Sequence, residues 1–342
     1  ERLEALPVAE PVAVARGFLA LLVALALLAG AIGYVLAGTV QGNDEALVIA
    51  HRGAAADAPE NTLAAVEEAL RQGADVVEID VQENADGEVV VLHDSDLMKV
   101  AGDRVKIWDA TTARLADVDV GSWFAPRFAD QRVPSLRDVL RACRGRATVD
   151  IELKYYGHDV RLVERVVEIV EGEGMADEVL VMSLEYDLVR RTKELRPGWS
   201  VGLLTATALG DLTTVSADFL AVNTSLASRR FLERARRSGK DVYVWTVNDP
   251  VQMFRMLTLG VDGLITDVPG PARSVLAERA ELGTLERLAV ALAFYLGAAA
   301  PDPPASVDVA GTPPSAPDLT ALVDIAGTPP SAPDLTALVD IA

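Results

Sequence analysis

From residue 46 onward, short runs rich in β-branched residues alternate with amphipathic stretches, and this alternation constrains the fold more than any other feature of the chain. The strand-like runs are Ala46–Ala50, Val76–Val81, Thr148–Leu153, Val179–Met182, Ser200–Leu204, Phe219–Val222, Asp241–Thr246 and Gly263–Ile265. Between them, Thr62–Gln72, Ser135–Cys143, Val160–Glu173, Tyr186–Leu195, Ala227–Ser238 and Pro250–Leu259 carry apolar residues at helical spacing. Eight alternations over about 235 residues predict an α/β fold of the (β/α)8 TIM-barrel type, with a doubly wound open sheet as the alternative arrangement of the same units. A further strand, Glu88–Leu92, and the irregular stretch 95–134 read as a small insertion after the second strand. Such a barrel gathers its chemistry at the carboxyl ends of its strands, so functional side chains should lie where the strand patterns stop.

They do. His51, Arg52 and Gly53 follow the first run; Glu78 and Asp80 lie toward the end of the second; His93 and Asp94 end the strand after it; Glu152 and Lys154 close the third. Residues two apart in a strand point the same way, which pairs Glu78 with Asp80 and Glu152 with Lys154. Three convergent carboxylates with no soft ligand describe a hard-cation site for calcium or magnesium. The single cysteine excludes a disulfide framework or a multi-cysteine metal centre, and an excess of 51 acids over 31 bases speaks against a nucleic-acid partner. Locally the balance differs. Three carboxylates, one divalent cation, Arg52 and Lys154 sum to +1, a match for a phosphodiester anion. His51 and His93 can supply one base and one acid near neutral pH. Acid and base assistance contributes about 10²–10⁴-fold per group, too little alone for the slowest phosphate-ester reactions, so the metal and the two cations must supply electrostatic stabilisation as well.

The ordered set HRG (51–53), PENT (59–62), EID (78–80), HD (93–94), IELK (151–154), VWTVND (244–249) and GVDGLITDVP (260–269) resembles the glycerophosphodiester phosphodiesterase family over about 46–280. That resemblance implies hydrolysis of glycerophosphodiesters to glycerol 3-phosphate and an alcohol with a divalent cation, Ca²⁺ or Mg²⁺. It implies His51 and His93 as general acid and base, Arg52 and Lys154 as phosphate-binding groups, Glu78, Asp80 and Glu152 as metal ligands, and Trp245 as an apolar wall for the substrate. Asn61 and Thr62 read as the cap of the first helix, Asn248 and Asp267 equally as turn residues or substrate contacts, and His158 as a loop residue or headgroup contact. Cys143 reads as a packed hydrophobe, and Trp108 and Trp123 as packing, lid or membrane-facing aromatics.

The barrel is flanked by two unlike segments. After an N-terminal stretch, 1–16, the uncharged run Gly17–Val40 would make a helix of about 36 Å, long enough to span a bilayer; an uncleaved signal peptide is the alternative. Arg2 and Arg16 precede the run, which places the N-terminus in the cytoplasm and the catalytic domain on the extracytoplasmic side of the cell membrane. The run and the stretch ELKYYGHD also look like the bacterial branch of the family in which a membrane domain precedes the enzyme, with Glu1 fitting a truncated member. Residues 281–300 end in the apolar run Leu288–Ala300, too short to span and expected as a helix on the domain or at the membrane interface. The 301–342 tail holds six aspartates, no base and nine of 18 prolines, and repeats Ala310–Ile325 unchanged; it reads as a disordered acidic tail, with a partner-binding repeat as the alternative. Two further readings stay open at this point: lysophospholipase D-type activity on membrane lysolipids, and a membrane-tethered binding protein without enzymatic activity.

Overall fold

The computed structural model describes residues 43–283, apart from 159, 160, 208 and 209, together with 21, 23–25, 30, 286 and 287. Eleven strands occur among them: β1 (Leu47–Ala50), β2 (Val76–Glu83), β3 (Val89–Val91), β4 (Asp96–Leu97), β5 (Asp103–Lys106) and β6 (Thr148–Leu153). The remainder are β7 (Val179–Ser183), β8 (Ser200–Thr205), β9 (Phe219–Asn223), β10 (Asp241–Trp245) and β11 (Gly263–Thr266). β1, β2, β6, β7, β8, β9, β10 and β11 pair in that order, every pair parallel, and β11 returns to β1, so the sheet closes as an eight-stranded barrel and the open-sheet alternative falls. The register Leu47↔Gly263 to Ala50↔Thr266 forms the closing seam.

Helices α1 (Leu63–Arg71), α2 (Met98–Ala101), α3 (Thr112–Asp117), α4 (Leu136–Cys143) and α5 (Leu162–Gly172) are followed by α6 (Tyr186–Leu195), α7 (Arg229–Arg237), α8 (Pro250–Leu259) and α9 (Pro269–Glu281). Their limits follow capping chemistry. Ser135 and Asp138 form a reciprocal capping box at α4, Asp249 caps α8 with Pro250 in its first turn, and Gly260 ends α8 at φ +90°, a conformation that glycine adopts without penalty. One connection departs from the regular alternation, and one expectation needs correction. Among the described residues no α-helix joins β8 to β9; the connection holds a single short 3₁₀ turn, Leu212–Thr214, because Gly210 and Asp211 break the pattern there. The 95–134 stretch is not irregular either: β4 pairs antiparallel with β5, and Leu97, Val100, Ile107 and Leu115 form a small core of their own with Val90 and Leu92.

The main core lies between barrel and helices, while Ile49, Val76, Met182, Leu204, Phe219, Ala221, Tyr243 and Ile265 fill the barrel itself. Gly202 makes room for the Phe219 ring; a Cβ there would stand 2.1 Å from the ring. Cys143 is buried as expected, its thiol pushed up to about 12 by burial. Most of 17–40 and all of 288–342 lie outside the described residues, so the span, the apolar helix and the tail are not placed. Leu21, Val23, Ala24, Leu25 and Gly30 are helical, and among the described residues no helix is long and apolar enough to cross a membrane.

Phe219→Ala should cost about 3–5 kcal/mol in urea unfolding, since the vacated space lies inside a closed barrel that cannot collapse around it. At the outer surface, hydrogen bonds from Arg141, Arg137 and Arg144 hold the Glu173 carboxyl down to about 2. A depressed carboxylate stabilises the fold above its ordinary pKa and loses that effect as pH falls toward 2. The melting-temperature gap between the wild type and Glu173→Gln should therefore be widest near neutrality and vanish by about pH 2.

Candidate active site

The site is built where β1 meets its two neighbours. The His51 N–H donates to the Thr266 carbonyl at 2.8 Å, extending the β1–β11 seam by one residue before the chain turns. Arg52 at φ +54° and Gly53 at φ +81° make that turn. A Cβ on residue 53 would lie 2.6 Å from the Ala65 carbonyl carbon of α1, so glycine is needed for both its backbone angle and its size. The turn aims the Arg52 backbone N–H at Glu78 Oε2, 2.7 Å away.

Glu78, Asp80 and Glu152 are all buried, and each offers a carboxylate oxygen within 4.8 Å of the others. Their environments differ. Burial first, then the charges of Asp80 and Glu152, raises Glu78 well above the usual carboxylate range. Burial and Asp80 push Glu152 up to about 7 against the opposing pull of Lys154. For Asp80 burial works in the same sense, but Lys154 and Arg52 outweigh it and hold the group ionised. Lys154 Nζ lies 2.6 Å from Glu152 Oε1 and 3.0 Å from Asp80 Oδ1, and Arg52 Nε lies 3.2 Å from Asp80 Oδ2. Glu78 Oε1 is buried without a hydrogen-bond partner. Three all-oxygen ligands, one of them an orphaned buried acceptor, are the donor set a hard divalent cation takes, so the residues present fit such an ion.

Both histidines are oriented through Nδ1. His51 pairs with Asp267 Oδ1 at 2.6 Å, and Asn248 donates to Asp267 Oδ2 at 2.6 Å while accepting from Thr266 Oγ1 and the Asp267 N–H. His93 pairs with Asp94 Oδ1 at 2.7 Å, and Tyr156 OH donates to the His93 carbonyl at 2.6 Å. Burial lowers the His93 pKa, Lys154 and Arg52 add to the effect, and Asp80 and Asp94 oppose it. With Nδ1 engaged, Nε2 is the nitrogen each ring has left for a proton in transit. His51, Arg52, Glu78, His93, Glu152, Lys154 and Trp245 line one solvent-open cavity, whose other wall is Met182, Leu184, Leu204 and Ile265. Asp80 lies just behind it, tied to Arg52 and Lys154. All eight residues singled out in the sequence are therefore brought together.

Sequence reasoning missed several supporting groups. Thr62 does cap α1 as expected, accepting from the Ala65 N–H. Asn61 does not share that work: at φ +58° it is buried against Asp80, donating to Oδ2 at 2.8 Å and accepting the Asp80 N–H at 3.1 Å. Glu60 accepts from Arg52 at 3.0 Å and from Lys99 of α2 at 2.6 Å, which links the insertion to the site. Asp150, in β6 and of the same parity as Glu152, is fully buried and pushed up to about 8, first by burial and then by Glu152. His158 stacks on Trp108 at 3.9 Å between ring centroids, which explains both residues as contacts between the insertion and the loop after β6. Asn61 next to a capping threonine and Asp267 after a strand carry the same local signals as ordinary turn residues; only the fold separates them.

A closed parallel barrel with a cation-ready acidic triad, two basic side chains and two carboxylate-oriented histidines at its mouth has the parts of a phosphoric diester hydrolase. Residues 51–271 match the Glycerophosphoryl diester phosphodiesterase family, and the chain belongs to it. It is 32% identical over 235 residues to the glycerophosphodiester phosphodiesterase of Caldanaerobacter subterraneus subsp. tengcongensis, covering 65% of this chain and 94% of that one. Among solved structures, a phosphodiesterase of Oleispira antarctica in complex with the product sn-glycerol-3-phosphate superposes with a TM-score of 0.65 at 26% identity, covering 68% of this chain and 96% of that one. A glycerophosphodiester phosphodiesterase of Agrobacterium tumefaciens gives 0.59 at 28% identity, with coverages of 66% and 97%. The chain is thus a glycerophosphodiester phosphodiesterase, which answers the choice between enzyme and pure binding protein.

Ca²⁺ or Mg²⁺ at a hundredfold excess over its Kd should stabilise the fold by about 2.7 kcal/mol, several degrees in melting temperature. Glu78→Gln and Glu152→Gln should abolish that shift in differential scanning calorimetry, and an ion-dependent shift that survives both would place the ion elsewhere.

Proposed function

We propose that this enzyme hydrolyses glycerophosphodiesters to glycerol 3-phosphate and an alcohol by two-histidine acid–base catalysis. The observation that carries the reading is the placement of His51 and His93, each held at Nδ1 by a carboxylate, in the same cavity as the buried acid triad. The product bound to the Oleispira antarctica relative supports the substrate class.

In this reading Arg52 and Lys154 hold the phosphoryl oxygens, and Trp245 forms the apolar wall for the glycerol or leaving group. Glu78, Asp80 and Glu152 hold Ca²⁺ or Mg²⁺, which when bound supplies charge stabilisation to the phosphoryl oxygens. One histidine takes the proton of the nucleophile, and the other delivers a proton to the departing alkoxide. Asp267 fixes the His51 ring and stabilises its imidazolium, with Asn248 holding Asp267; Asp94 does the same for His93. The nucleophile is water or the substrate's own 2-hydroxyl. Residues 17–40 anchor the chain in the cell membrane with the enzyme on the extracytoplasmic side, in the manner of family members that carry a membrane domain; their uncharged length supports this.

On glycerophosphocholine, His51→Ala and His93→Ala should each lower kcat by about 10²–10⁴-fold with little change in the Kd for glycerol 3-phosphate; near-full turnover of either would remove the two-histidine scheme. Chelation should silence the wild type, and re-addition of Ca²⁺ and Mg²⁺ separately would show which ion restores it. Reaction in ¹⁸O-water, with a search for cyclic glycerophosphate, separates the two nucleophiles.

A further inference from the structure

Arg52 reaches the cavity already held by two carboxylates. Its Nη1 donates to Glu60 Oε1 at 3.0 Å and its Nε lies 3.2 Å from Asp80 Oδ2, while among the described residues none accepts from Nη2. The two acids differ in what else engages them. Asp80 is shared with Lys154, 3.0 Å away, and with Asn61, which donates to it at 2.8 Å. Glu60 has one other partner among the described residues, Lys99 of α2, whose Nζ donates to Oε2 at 2.6 Å. The Glu60 side chain is only 13% exposed, so water competes little for either of its oxygens.

The insertion makes three contacts with 57–64, the stretch that carries Glu60. Arg127 donates to the Asp57 carbonyl at 3.3 Å, Lys99 grips Glu60, and the Gln131 side chain accepts the Ala64 N–H at 3.1 Å. The Asn61 N–H in turn donates to the Arg52 carbonyl at 2.9 Å, which closes the stretch onto the site. Lys99 is placed from a second side as well. Its Nζ lies 5.7 Å from the centre of the Trp123 ring, and that indole is fixed by a 2.8 Å donation from Nε1 to the Val120 carbonyl. A carboxylate with both oxygens free takes an arginine in two parallel N–H bonds at once. With Oε2 released, Glu60 would close on Nη2 as well as Nη1 and occupy the N–H that a phosphoryl oxygen needs.

We propose that Lys99 is a positioning residue for the phosphate site: by holding Glu60 Oε2 it keeps Glu60 on Arg52 through one oxygen, and so leaves Arg52 Nη2 for the substrate. The inference rests on the reading of Arg52 as a phosphate-binding group and extends it to the insertion, which thereby sets substrate affinity from outside the barrel. Lys99 is not among the residues that line the cavity, so its effect falls on binding and not on proton transfer. Its side chain is 42% exposed, and an ion pair of that kind supports an effect of about fivefold.

The test measures the Kd for glycerol 3-phosphate by titration calorimetry, and KM and kcat on glycerophosphocholine, with the full chain and saturating divalent cation. Lys99→Met should raise Kd and KM by about fivefold and leave kcat within about twofold, and Lys99→Arg, which keeps a donor for Oε2, should restore both. Unchanged Kd and KM in Lys99→Met, or a loss confined to kcat, overturns the proposal. In a Glu60→Gln background the charge that Lys99 balances is gone, so Lys99→Met should then change Kd by less than about twofold. An undiminished effect there would mean that Lys99 meets the substrate directly, and the positioning role falls. Arg114→Gln breaks an ion pair with Asp103 in the same insertion that no described contact joins to Glu60. It should alter neither constant, and a loss equal to that of Lys99→Met would reduce the effect to general loosening of the insertion and overturn the proposal. If the wild type bound glycerol 3-phosphate with this dependence on Lys99 yet failed to hydrolyse glycerophosphocholine, the hydrolytic reading would fall and the positioning role would stand.

Discussion

The site depends on one constraint, closure of the barrel through β1. This four-residue strand pairs on one side with β11 and on the other with β2, so the residue that follows it stands between Asp267 and Glu78. His51 receives its orienting carboxylate from the last strand, and Arg52 is turned by a backbone hydrogen bond to the second. An open sheet made of the same strands would leave the first and last at opposite edges and pull His51 from Asp267. The chemistry is thus a property of the closed ring and not of any one strand.

Closure also sets the electrostatics. Three carboxylates and two basic groups are taken out of water together, at a cost that removal of any one partner would expose. The charges do not share the burden evenly. Asp80 has Lys154, Arg52 and Asn61 around it and stays ionised, whereas Glu78 and Glu152 are raised by burial and by their neighbours. A bound divalent cation would reverse the balance for the latter two, and Arg52 and Lys154 would then face a phosphodiester anion with a net positive site inside a chain of net charge −20.

Much of this was legible in the sequence because barrel strands announce themselves twice, as buried β-branched runs and as ends where polar residues resume. Thr148–Leu153 and Pro250–Leu259 were readable to the residue, since capping and burial coincide with the pattern there. Glu78, Asp80, Glu152 and Lys154 followed from strand parity. What parity cannot give is contact between distant strands. Asp267 lies 216 residues from His51, and Glu60 reaches Lys99 of the insertion, so their local context is that of any turn or helix approach. No helical stretch is readable between β8 and β9, and among the described residues the structure has only a short 3₁₀ turn there, after Gly210 and Asp211.

The same seam has a kinetic side. Its strands are the first and last of the barrel, and pairing residues so far apart carries a large loop-closure entropy that must be met before the contact stabilises anything. A ribosome would have to release nearly the whole domain before β1 could find β11. The acid triad, drawn from β2 and β6, can assemble earlier, from residues 78 to 152. During synthesis the chain would therefore be able to bind an ion well before it could position His51, and catalytic competence would arrive in one late step, when the ring closes.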